Sequence, residues 1–377
     1  MRIAYISLHW PRTFLIGVGR KINEQLLAWK QAGHDVRLFM HTSKYQPENE
    51  LIPGETYFYN ERKGFLGSSR REYERYTAAV GLIAAVQDFK PHVIYLRYGI
   101  YVFPIHNLAM IAPAIEEINT NDVVQHKDLG RIYDFYNRIT RGILLKKMKG
   151  LVCVSDELAA SPEFSKYKKP TEVISNGLNL DAIQPLPAPK NKFPRLVFIA
   201  TPGYNWHGVD KLVTLAKRYP DIEIDLVGYD RLETTTDKPN NLNLLGYLSP
   251  SNSQTVLAHA DLALGTLALH RKNMDEASPL KTRECLAFGL PMVLPYKDTD
   301  LDNLECDFLL RIPNRADNID TYAEAIHAFS YQMIGKRADR SLLIPRIDSK
   351  AKERKRLAFF MKISGSGIEM NLPSGVS

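Results

Sequence analysis

The feature that most constrains this chain is an alternation of short apolar runs with helical patterns, which occurs twice along the sequence. The runs, such as "VIYL" and "LVCV", are rich in residues that favour strands and are apolar throughout, as in strands buried on both faces. A strand, a glycine loop, a helix and a second strand form a βαβ unit, which implies a parallel sheet. The sequence therefore predicts a doubly wound α/β architecture.

A proline-rich stretch, "QPLPAPKNKFPR", interrupts the alternation and is typical of a stiff linker. The alternation then begins again, which predicts two Rossmann-like domains that face each other across a cleft. We predict a first domain at 1–185, a linker at 186–195, a second domain at 196–348, a terminal helix at 349–362 and a frayed tail at 363–377. In such sheets ligands bind beyond the carboxyl ends of the strands.

Composition narrows the class of protein. The chain has 377 residues, 45% of them apolar, and none of its apolar runs approaches the length of about 18 residues that a membrane helix needs. Its first residues do not resemble a signal peptide. Cys153, Cys285 and Cys306 have no metal-ligand spacing, and two of them lie in apolar runs where we expect buried thiols. We therefore expect a cytoplasmic protein.

The net charge of +7 lies almost entirely in the first half, where residues 1–190 hold 25 Lys and Arg against 19 Asp and Glu. A basic half is compatible with an anionic membrane surface or with ordinary solubility charge, and the sequence has no nucleic-acid motif. A helix predicted at 130–148 alternates basic and apolar residues. The apolar ones are Ile132, Phe135, Tyr136, Ile139 and Ile143, and the basic ones are Arg131, Arg138, Arg141, Lys146 and Lys147. Such a helix can lie on anionic lipid, but we expect its apolar stripe to pack on its own sheet.

A glycine-containing segment, "GVGRK", follows the first strand and predicts a loop at 16–19 before a helix at 20–32. It is half of the G-x-G-x-x-G pattern, because Ile22 stands where the third glycine belongs, and an additional loop separates it from the strand. A nicotinamide site is therefore disfavoured. A substrate-binding loop at a helix N-terminus and a simple tight turn both remain open.

A pair of glutamates, Glu276 and Glu284, flanks a predicted helix start in "DEASPLKTRECLAFGLPMV". Ser278 is typical of an N-cap, and Pro279 is typical of the first helical position. Glu276 then precedes the helix and Glu284 lies in its second turn, so both can face an anion at the helix N-terminus. Lys281 in the first turn is unfavourable unless an anion is near. The alternative is a pair of solvated carboxylates at a helix end.

The segment "E-ASPLKTR-E" also has the E-x7-E spacing of the family 4 glycosyltransferases, and this chain resembles that family. Similar segments occur in the family's order: "GVGRKINEQLLAWKQAGHDVRLF", "KPHVIYLR", "VISNGLNLDAIQP", "WHGVDKL", "GYLSP", "ADLALGTLAL" and "CLAFGLPMVLP". The resemblance covers about residues 1–300. It implies a GT-B fold and a terminal helix that crosses back onto the first domain.

The resemblance also implies roles for particular residues. Glu276 would hold hydroxyls of the transferred sugar, Glu284 would accept hydrogen bonds from the ribose hydroxyls, and Lys281 would act with Glu276 at the reaction centre. The other implied donor-site residues are Ser278, Leu280, His207, Gly208, Tyr247 and Leu248, and the implied acceptor-side residues are Gly17, Gly19, Arg20 and Asn119. No metal and no cofactor are expected, so cations and amides of the protein must neutralise the leaving diphosphate.

The chain departs from the family where an arginine and a lysine commonly precede a glycine, because Pro202 and His207 occupy those positions. Either His207 acts protonated, or Lys281, Lys211 or Arg20 supplies the charge. His207 can equally be a core histidine packed beside Trp206, and loss of the cationic pair is also compatible with an inactive protein.

These observations predict a retaining, metal-independent glycosyltransferase of the hexosyltransferase type. It would move sugar from a nucleotide-sugar donor to a glycan or lipid-linked acceptor, in cell-surface polysaccharide synthesis, in the cytoplasm or peripherally on the inner face of the plasma membrane. One alternative is an inactive GT-B subunit that binds a nucleotide or a partner enzyme. A nucleotide-sugar epimerase is less favoured, because it would need more acids and histidines in the cleft.

Overall fold

The computed structural model of this chain describes residues 1–8, 17–43, 54–60, 65–128, 130–232 and 237–365. It confirms the predicted architecture of two α/β units, each built on a parallel sheet. The first sheet contains β1 (Arg2–Ser7), β2 (Asp35–Thr42), β3 (Gly54–Phe58), β4 (Val93–Arg97), β5 (Ala114–Ile118), β6 (Gly150–Cys153) and β7 (Thr171–Val173). The helices of this unit are α1 (Gly17–Gln31), α2 (Phe65–Phe89), α3 (Leu108–Ile111), α4 (Asp122–Asp128), α5 (Arg131–Lys147), α6 (Asp156–Ala160) and α7 (Pro162–Ser165).

The second unit follows the proline-rich segment. Its strands are β8 (Arg195–Ile199), β9 (Glu223–Val227), β10 (Leu242–Leu244), β11 (Leu262–Leu264), β12 (Glu276–Ala277), β13 (Met292–Leu294), β14 (Lys297–Asp298) and β15 (Leu309–Arg311). Its helices are α8 (Val209–Arg218), α9 (Pro250–His259), α10 (Leu280–Ala287), α11 (Asn318–Gln332), α12 (Arg340–Ile347) and α13 (Ser349–Ser364).

Each main sheet has one point where the strand order reverses direction. The first sheet runs β3-β2-β1-β4-β5-β6-β7 and the second runs β10-β9-β8-β11-β13-β15, while β12 and β14 pair separately. The reversals fall between β1 and β4 and between β8 and β11. Loops that leave the carboxyl ends of the strands diverge at such a point and open a crevice. The fold therefore places one crevice on each unit.

The core explains why the strand runs are apolar without alternation. Along β1, Ala4 and Ile6 belong to one hydrophobic cluster, whereas Ile3 and Tyr5 belong to another on the opposite face. Helices cover both faces of the sheet, so every side chain of such a strand is buried.

The last helix, α13, packs on the first domain. The indole Nε1 of Trp29 in α1 donates to Oε2 of Glu353 at 2.8 Å, and the rings of Trp29 and Phe360 lie 5.1 Å apart. Helix α13 ends at Ser364, two residues beyond the predicted limit of 362. The remainder of the predicted tail, from residue 366, lies outside the described residues.

Two local expectations in the first domain are wrong. Helix α1 begins at Gly17 rather than after a loop at 16–19. Helix α5 does not pack its apolar stripe on the sheet: Ile132, Phe135, Ile139 and Ile143 are exposed.

An ion pair explains the orientation of α5. Asn137 and Arg141 are buried instead of the apolar stripe. Asp122 accepts hydrogen bonds from Arg141 at 2.7 and 2.8 Å and from the amide of Asn137 at 2.6 Å. Because the buried carboxylate of Asp122 binds Asn137 and Arg141, the polar face of α5 points into the protein and the apolar stripe faces outward.

Candidate active site

The candidate site lies at the reversal between β8 and β11 in the second sheet. A short 3-10 helix at Asn205–His207 follows β8, and a second one at Leu269–Lys272 follows β11. The amide of Leu267 donates to the carbonyl of His207 at 3.0 Å and joins the two loops. Helix α10 contributes Lys281, whose Nζ donates to the carbonyl of Ile199 at 3.1 Å, at the carboxyl end of β8.

His207 is buried, and its surroundings favour the neutral imidazole over the protonated form that was one of the predicted alternatives. Burial lowers its pKa to about 2, and the nearby charges of Lys281 and Lys272 act in the same direction. Its Nδ1 accepts the N–H of Thr201 at 2.9 Å, so the ring proton is on Nε2. The ring of Trp206 packs edge-on at 4.1 Å. The arrangement fits a packed histidine that presents one neutral N–H donor.

Gly208 is needed both for its backbone conformation and for its lack of a side chain. Its φ is +79°, in the left-handed region, and a Cβ there would lie 2.9 Å from Cβ of Leu267 and 3.1 Å from Cβ of Ala268. Helix α8 begins directly after it. Only glycine allows the two loops to approach each other this closely.

Lys272 provides a second buried cation at this candidate site, and the sequence did not predict it. It is buried, its Nζ lies 4.8 Å from the centroid of the Trp206 ring, and it donates to the hydroxyl of Thr120 in the first domain at 2.6 Å. It lies near His207, and its hydrogen bond to Thr120 joins the two domains. The basic run "HRK" ahead of Glu276 is the sequence feature that could have indicated Lys272, but such a run is equally typical of a solvated loop.

The start of α10 differs from the prediction by one residue. Pro279 has an extended backbone, so the helix begins at Leu280, and among the described residues no side chain caps its first turn. Ser278 is not an N-cap. Its hydroxyl oxygen accepts hydrogen bonds from the backbone N–H of Asn176 at 2.8 Å and from Nη2 of Arg283 at 2.9 Å. The uncapped amides of Leu280 and Lys281 retain the character expected of an anion site.

Glu276 is buried against the first domain. Its Oε2 accepts the backbone N–H of Glu157 at 2.8 Å, and its own backbone N–H donates to Oε2 of Glu157 at 2.7 Å. Its second carboxylate oxygen, Oε1, is buried and has no partner among the residues that the structure describes. Glu157 was not predicted, because an acid in the first turn of a helix is common without any function.

Glu284 lies opposite α1 of the first domain. Burial raises the pKa of its carboxyl group; Arg20 opposes that shift and Glu24 reinforces it. Arg20 in turn pairs with Glu24 through Nε at 2.7 Å, and Glu24 also accepts the backbone N–H of Asn179 at 2.9 Å. Arg20 and Glu284, predicted for opposite sides of the cleft, are thus neighbours.

The remaining predicted residues lie in α1, in the segment after β5 and in the loop after β10, and their roles stay predictions. Asn119 accepts from Lys21 at 2.9 Å, one residue from the Thr120 contact with Lys272. Lys211, one of the predicted alternatives for the missing cation, donates from Nζ to the carbonyl of Arg315 and to Oδ1 of Asn318, both at 2.7 Å. Gly17 and Gly19 lie in the first turn of α1, and Tyr247 is exposed and Leu248 half-buried in the loop after β10.

Electrostatically, the cations Lys281 and Lys272 both act on His207 at the reversal point. Burial lowers the pKa of Lys281 to about 8. A phosphate near this buried ammonium group would stabilise its charged form and raise its pKa back toward the ordinary value. Among the described residues, no group of three or more His, Cys, Asp or Glu side chains is arranged to hold a metal ion. The arrangement can therefore bind an anionic group through Lys281, Lys272 and backbone amides.

Comparisons with known proteins concern the family and the fold of this chain. Residues 16–182 match the family model described as Glycosyltransferase Family 4, which confirms the predicted resemblance over that range. No curated protein sequence gave a significant match.

Solved structures match the fold across nearly the whole chain. Sucrose-phosphate synthase from Thermosynechococcus elongatus is 15% identical with a TM-score of 0.68, covering 97% of this chain and 99% of that one. A glycosyltransferase from Rickettsia africae is 15% identical with a TM-score of 0.63, covering 96% and 98%. HepE of Anabaena, solved with UDP and glucose, is 12% identical with a TM-score of 0.60, covering 96% and 99%. The fold of this chain is GT-B.

Proposed function

We propose that this chain, with its GT-B fold and its match to glycosyltransferase family 4, transfers a sugar from a nucleotide-sugar donor with retention of configuration and without a metal ion. The donor occupies the crevice between β8 and β11. The acceptor, a glycan or a lipid-linked glycan of cell-surface polysaccharide synthesis, approaches from the first domain. The presence of UDP and glucose in the similarly folded Anabaena structure supports a nucleotide-sugar donor.

The observation that carries this proposal is the unpartnered oxygen of Glu276. A buried carboxylate oxygen without a hydrogen bond is costly, and a ligand that donates a hydroxyl removes the cost. A sugar has hydroxyls to donate. Lys281 and Lys272 each lie near His207, where a diphosphate would complement their charges.

The reaction follows from these positions. The acceptor hydroxyl attacks the anomeric carbon as the bond from that carbon to the diphosphate oxygen breaks, and the hydroxyl proton passes to the departing oxygen on the same face. Lys281, Lys272, the Nε2–H of His207 and the first amides of α10 stabilise the negative charge that develops on the leaving group. Glu276 holds the sugar, and Glu284 binds the ribose hydroxyls.

A donor screen tests the proposal. Purified protein is incubated with UDP-, GDP-, ADP- and dTDP-sugars in EDTA and scored for donor hydrolysis and for thermal stabilisation. We expect one donor to be hydrolysed, with a loss of about 100-fold or more in Glu276→Ala. Glu284→Ala should chiefly weaken donor binding.

The inactive-subunit alternative retains one supporting observation, the replacement of the family's cationic pair by Pro202 and His207. It predicts stabilisation by a nucleotide with no hydrolysis and no transfer to any acceptor, and Glu276→Ala would then change binding alone. Absence of both binding and hydrolysis for every donor would contradict the proposed transfer and the nucleotide-binding form of the inactive subunit.

A further inference from the structure

The outward face of α5 is the largest departure from the expected packing. Ile132 is 83% exposed, Phe135 66% and Ile139 58%, and Ile143 is also exposed. At about 100° per residue these four side chains form one continuous stripe along the helix. An apolar stripe of this length on a water-facing helix is unusual and marks an interaction surface.

The apolar surface continues from α5 to α2. Phe103 is exposed and stacks on Tyr76 of α2, with ring centroids 5.9 Å apart, and the short helix at Ile105–Asn107 contacts both α2 and α5. Tyr136 of α5 donates to the carbonyl of Tyr101 at 3.0 Å and fixes this connection. We call the surface formed by Tyr73, Tyr76, Phe103, Ile132, Phe135, Ile139 and Ile143 the α2–α5 face.

Basic side chains border the α2–α5 face. Helical geometry places Arg131 and Arg138 along one flank of the stripe and Lys147 along the other, with Lys146 at its end, and all four are exposed. Arg138 pairs with Asp134 at 2.8 Å, but an exposed pair of this kind is weak and leaves the flank basic. Apolar residues between flanking cations are the pattern of a helix that lies in a lipid interface.

We propose that the α2–α5 face docks on an anionic membrane surface, with the apolar stripe in the interface and the basic flanks on lipid phosphates. No helix among the described residues is long and apolar enough to cross a membrane, so the proposal concerns a docking surface. A second copy of the chain is a poorer occupant. A two-fold contact through this face would bring identical basic flanks together.

Topology places one end of this face at the cleft. Strand β5 ends at the carboxyl edge of the first sheet, and α5 returns from that edge to the start of β6, so Ile132 and Phe135 lie toward the cleft. A docked enzyme would then hold its acceptor side at the lipid surface. This orientation rests on the proposed function, whereas docking itself does not.

Vesicle co-sedimentation tests the docking. The full chain is mixed with vesicles of phosphatidylcholine, with and without phosphatidylglycerol. We expect binding only when the anionic lipid is present, with about tenfold weaker binding for Ile139→Asp. A Lys146→Gln/Lys147→Gln double variant should weaken binding by about fivefold per charge.

Ile344→Asp is the matched control, because Ile344 is also a helical isoleucine and is 47% exposed on α12, outside the α2–α5 face. It should bind vesicles as the wild type does. Donor hydrolysis in the absence of vesicles should be unchanged in Ile139→Asp, which separates failure of docking from failure of the proposed function.

Equal binding to vesicles with and without the anionic lipid, no binding to either, or equal effects of Ile139→Asp and Ile344→Asp would overturn the proposal. Light scattering of the same proteins without vesicles tests whether a second copy of the chain occupies this face instead. A wild-type dimer that Ile139→Asp converts to monomer, without vesicle binding, would assign the face to self-association and overturn membrane docking.

Discussion

At Lys281, burial lowers the pKa of the ammonium group to about 8, and Nζ donates to the carbonyl of Ile199. Below that pH the free enzyme carries the charge, and above it the charge is lost. If Lys281 stabilises the leaving diphosphate, kcat/KM should be level below pH 8 and should fall as pH rises through about 8. A pH profile of donor hydrolysis measures this.

Lys281→Arg is the control for that profile, since a guanidinium remains charged over the whole range. We expect lower activity without the alkaline fall, whereas Lys281→Ala should lose about 100-fold below pH 8, and its deficit should shrink at higher pH, where the wild type loses the same charge. If Lys281→Arg shows an unchanged alkaline fall, the ionisation belongs elsewhere. Lys21, whose pKa burial also lowers to about 8, would then be the first group to examine.

The sequence allowed residues to be predicted for the site by name, but it did not allow their ionisation state to be predicted. The glutamate spacing and the "SPLK" segment predict Glu276, Glu284 and Lys281 as site residues, and both this assignment and the roles of all three stay predictions. The protonation of His207 depends on its burial and on the lysines nearby, neither of which a local motif contains. Lys272 and Glu157 were missed for the same reason, because their partners lie more than a hundred residues away along the chain.

At the scale of elements, the loop between β8 and α8 depends on Gly208. Gly208→Ala should lower the free energy of unfolding by about 2–4 kcal/mol, because it combines a strained backbone with overlap at Leu267 and Ala268. It should also weaken donor binding, since the overlap separates the two loops. Urea unfolding and donor-induced thermal stabilisation measure the two effects.

Gly203→Ala is matched to this variant. Gly203 has φ +83° in the same loop, but among the described residues nothing lies within 4 Å of a Cβ built there. Gly203→Ala should therefore lower the free energy of unfolding by only about 1 kcal/mol, which is the cost of the left-handed conformation alone. Equal losses for the two variants would show that steric overlap contributes nothing at Gly208.

Local sequence patterns predicted where strands and helices lie along the chain more reliably than they predicted which face of a helix is buried. The apolar runs located β4 and β6, and the "SKAKERKRLAFFMK" segment located α13. The direction in which α5 faces could not be predicted, because its burial is decided by the ion pair between Arg141 and Asp122 rather than by its apolar stripe. Ser278 likewise looked like a cap, but its hydroxyl serves a contact between domains.

For the molecule as a whole, a buried ion network joins the two domains. Arg283 is fully buried and pairs with Asp298 at 2.5 Å and Asp300 at 2.7 Å, while Lys352 of α13 pairs with Asp300 at 2.8 Å. Arg283 also donates to the carbonyl of Asn176 in the first domain, shortly after β7, at 3.0 Å. The two halves are thus connected through one set of charges.

Arg283→Met should lower the free energy of unfolding by about 3–5 kcal/mol, because it leaves Asp298 buried without its partner. The double variant Arg283→Met/Asp298→Asn removes the uncompensated charge and should recover part of that loss. Denaturant unfolding of both variants measures the difference. A double variant less stable than Arg283→Met would contradict this account of the network.

The two-domain fold was predictable because it rests on repeated local patterns separated by a proline-rich segment. The contacts that close the cleft, such as Lys272 with Thr120 and Glu276 with Glu157, arise only when the domains meet. The central claim concerns what that cleft does with a nucleotide sugar.

The measurement that tests this claim most directly is proton NMR of the hydrolysed nucleotide sugar, recorded in EDTA from the first minutes of the reaction. The anomeric signals report both turnover and stereochemistry before the free sugar mutarotates. We predict that the first sugar released has the same anomeric configuration as the donor, and that Glu276→Ala releases none on the same timescale. Release of the opposite anomer, or undiminished cleavage in Glu276→Ala, would contradict the account.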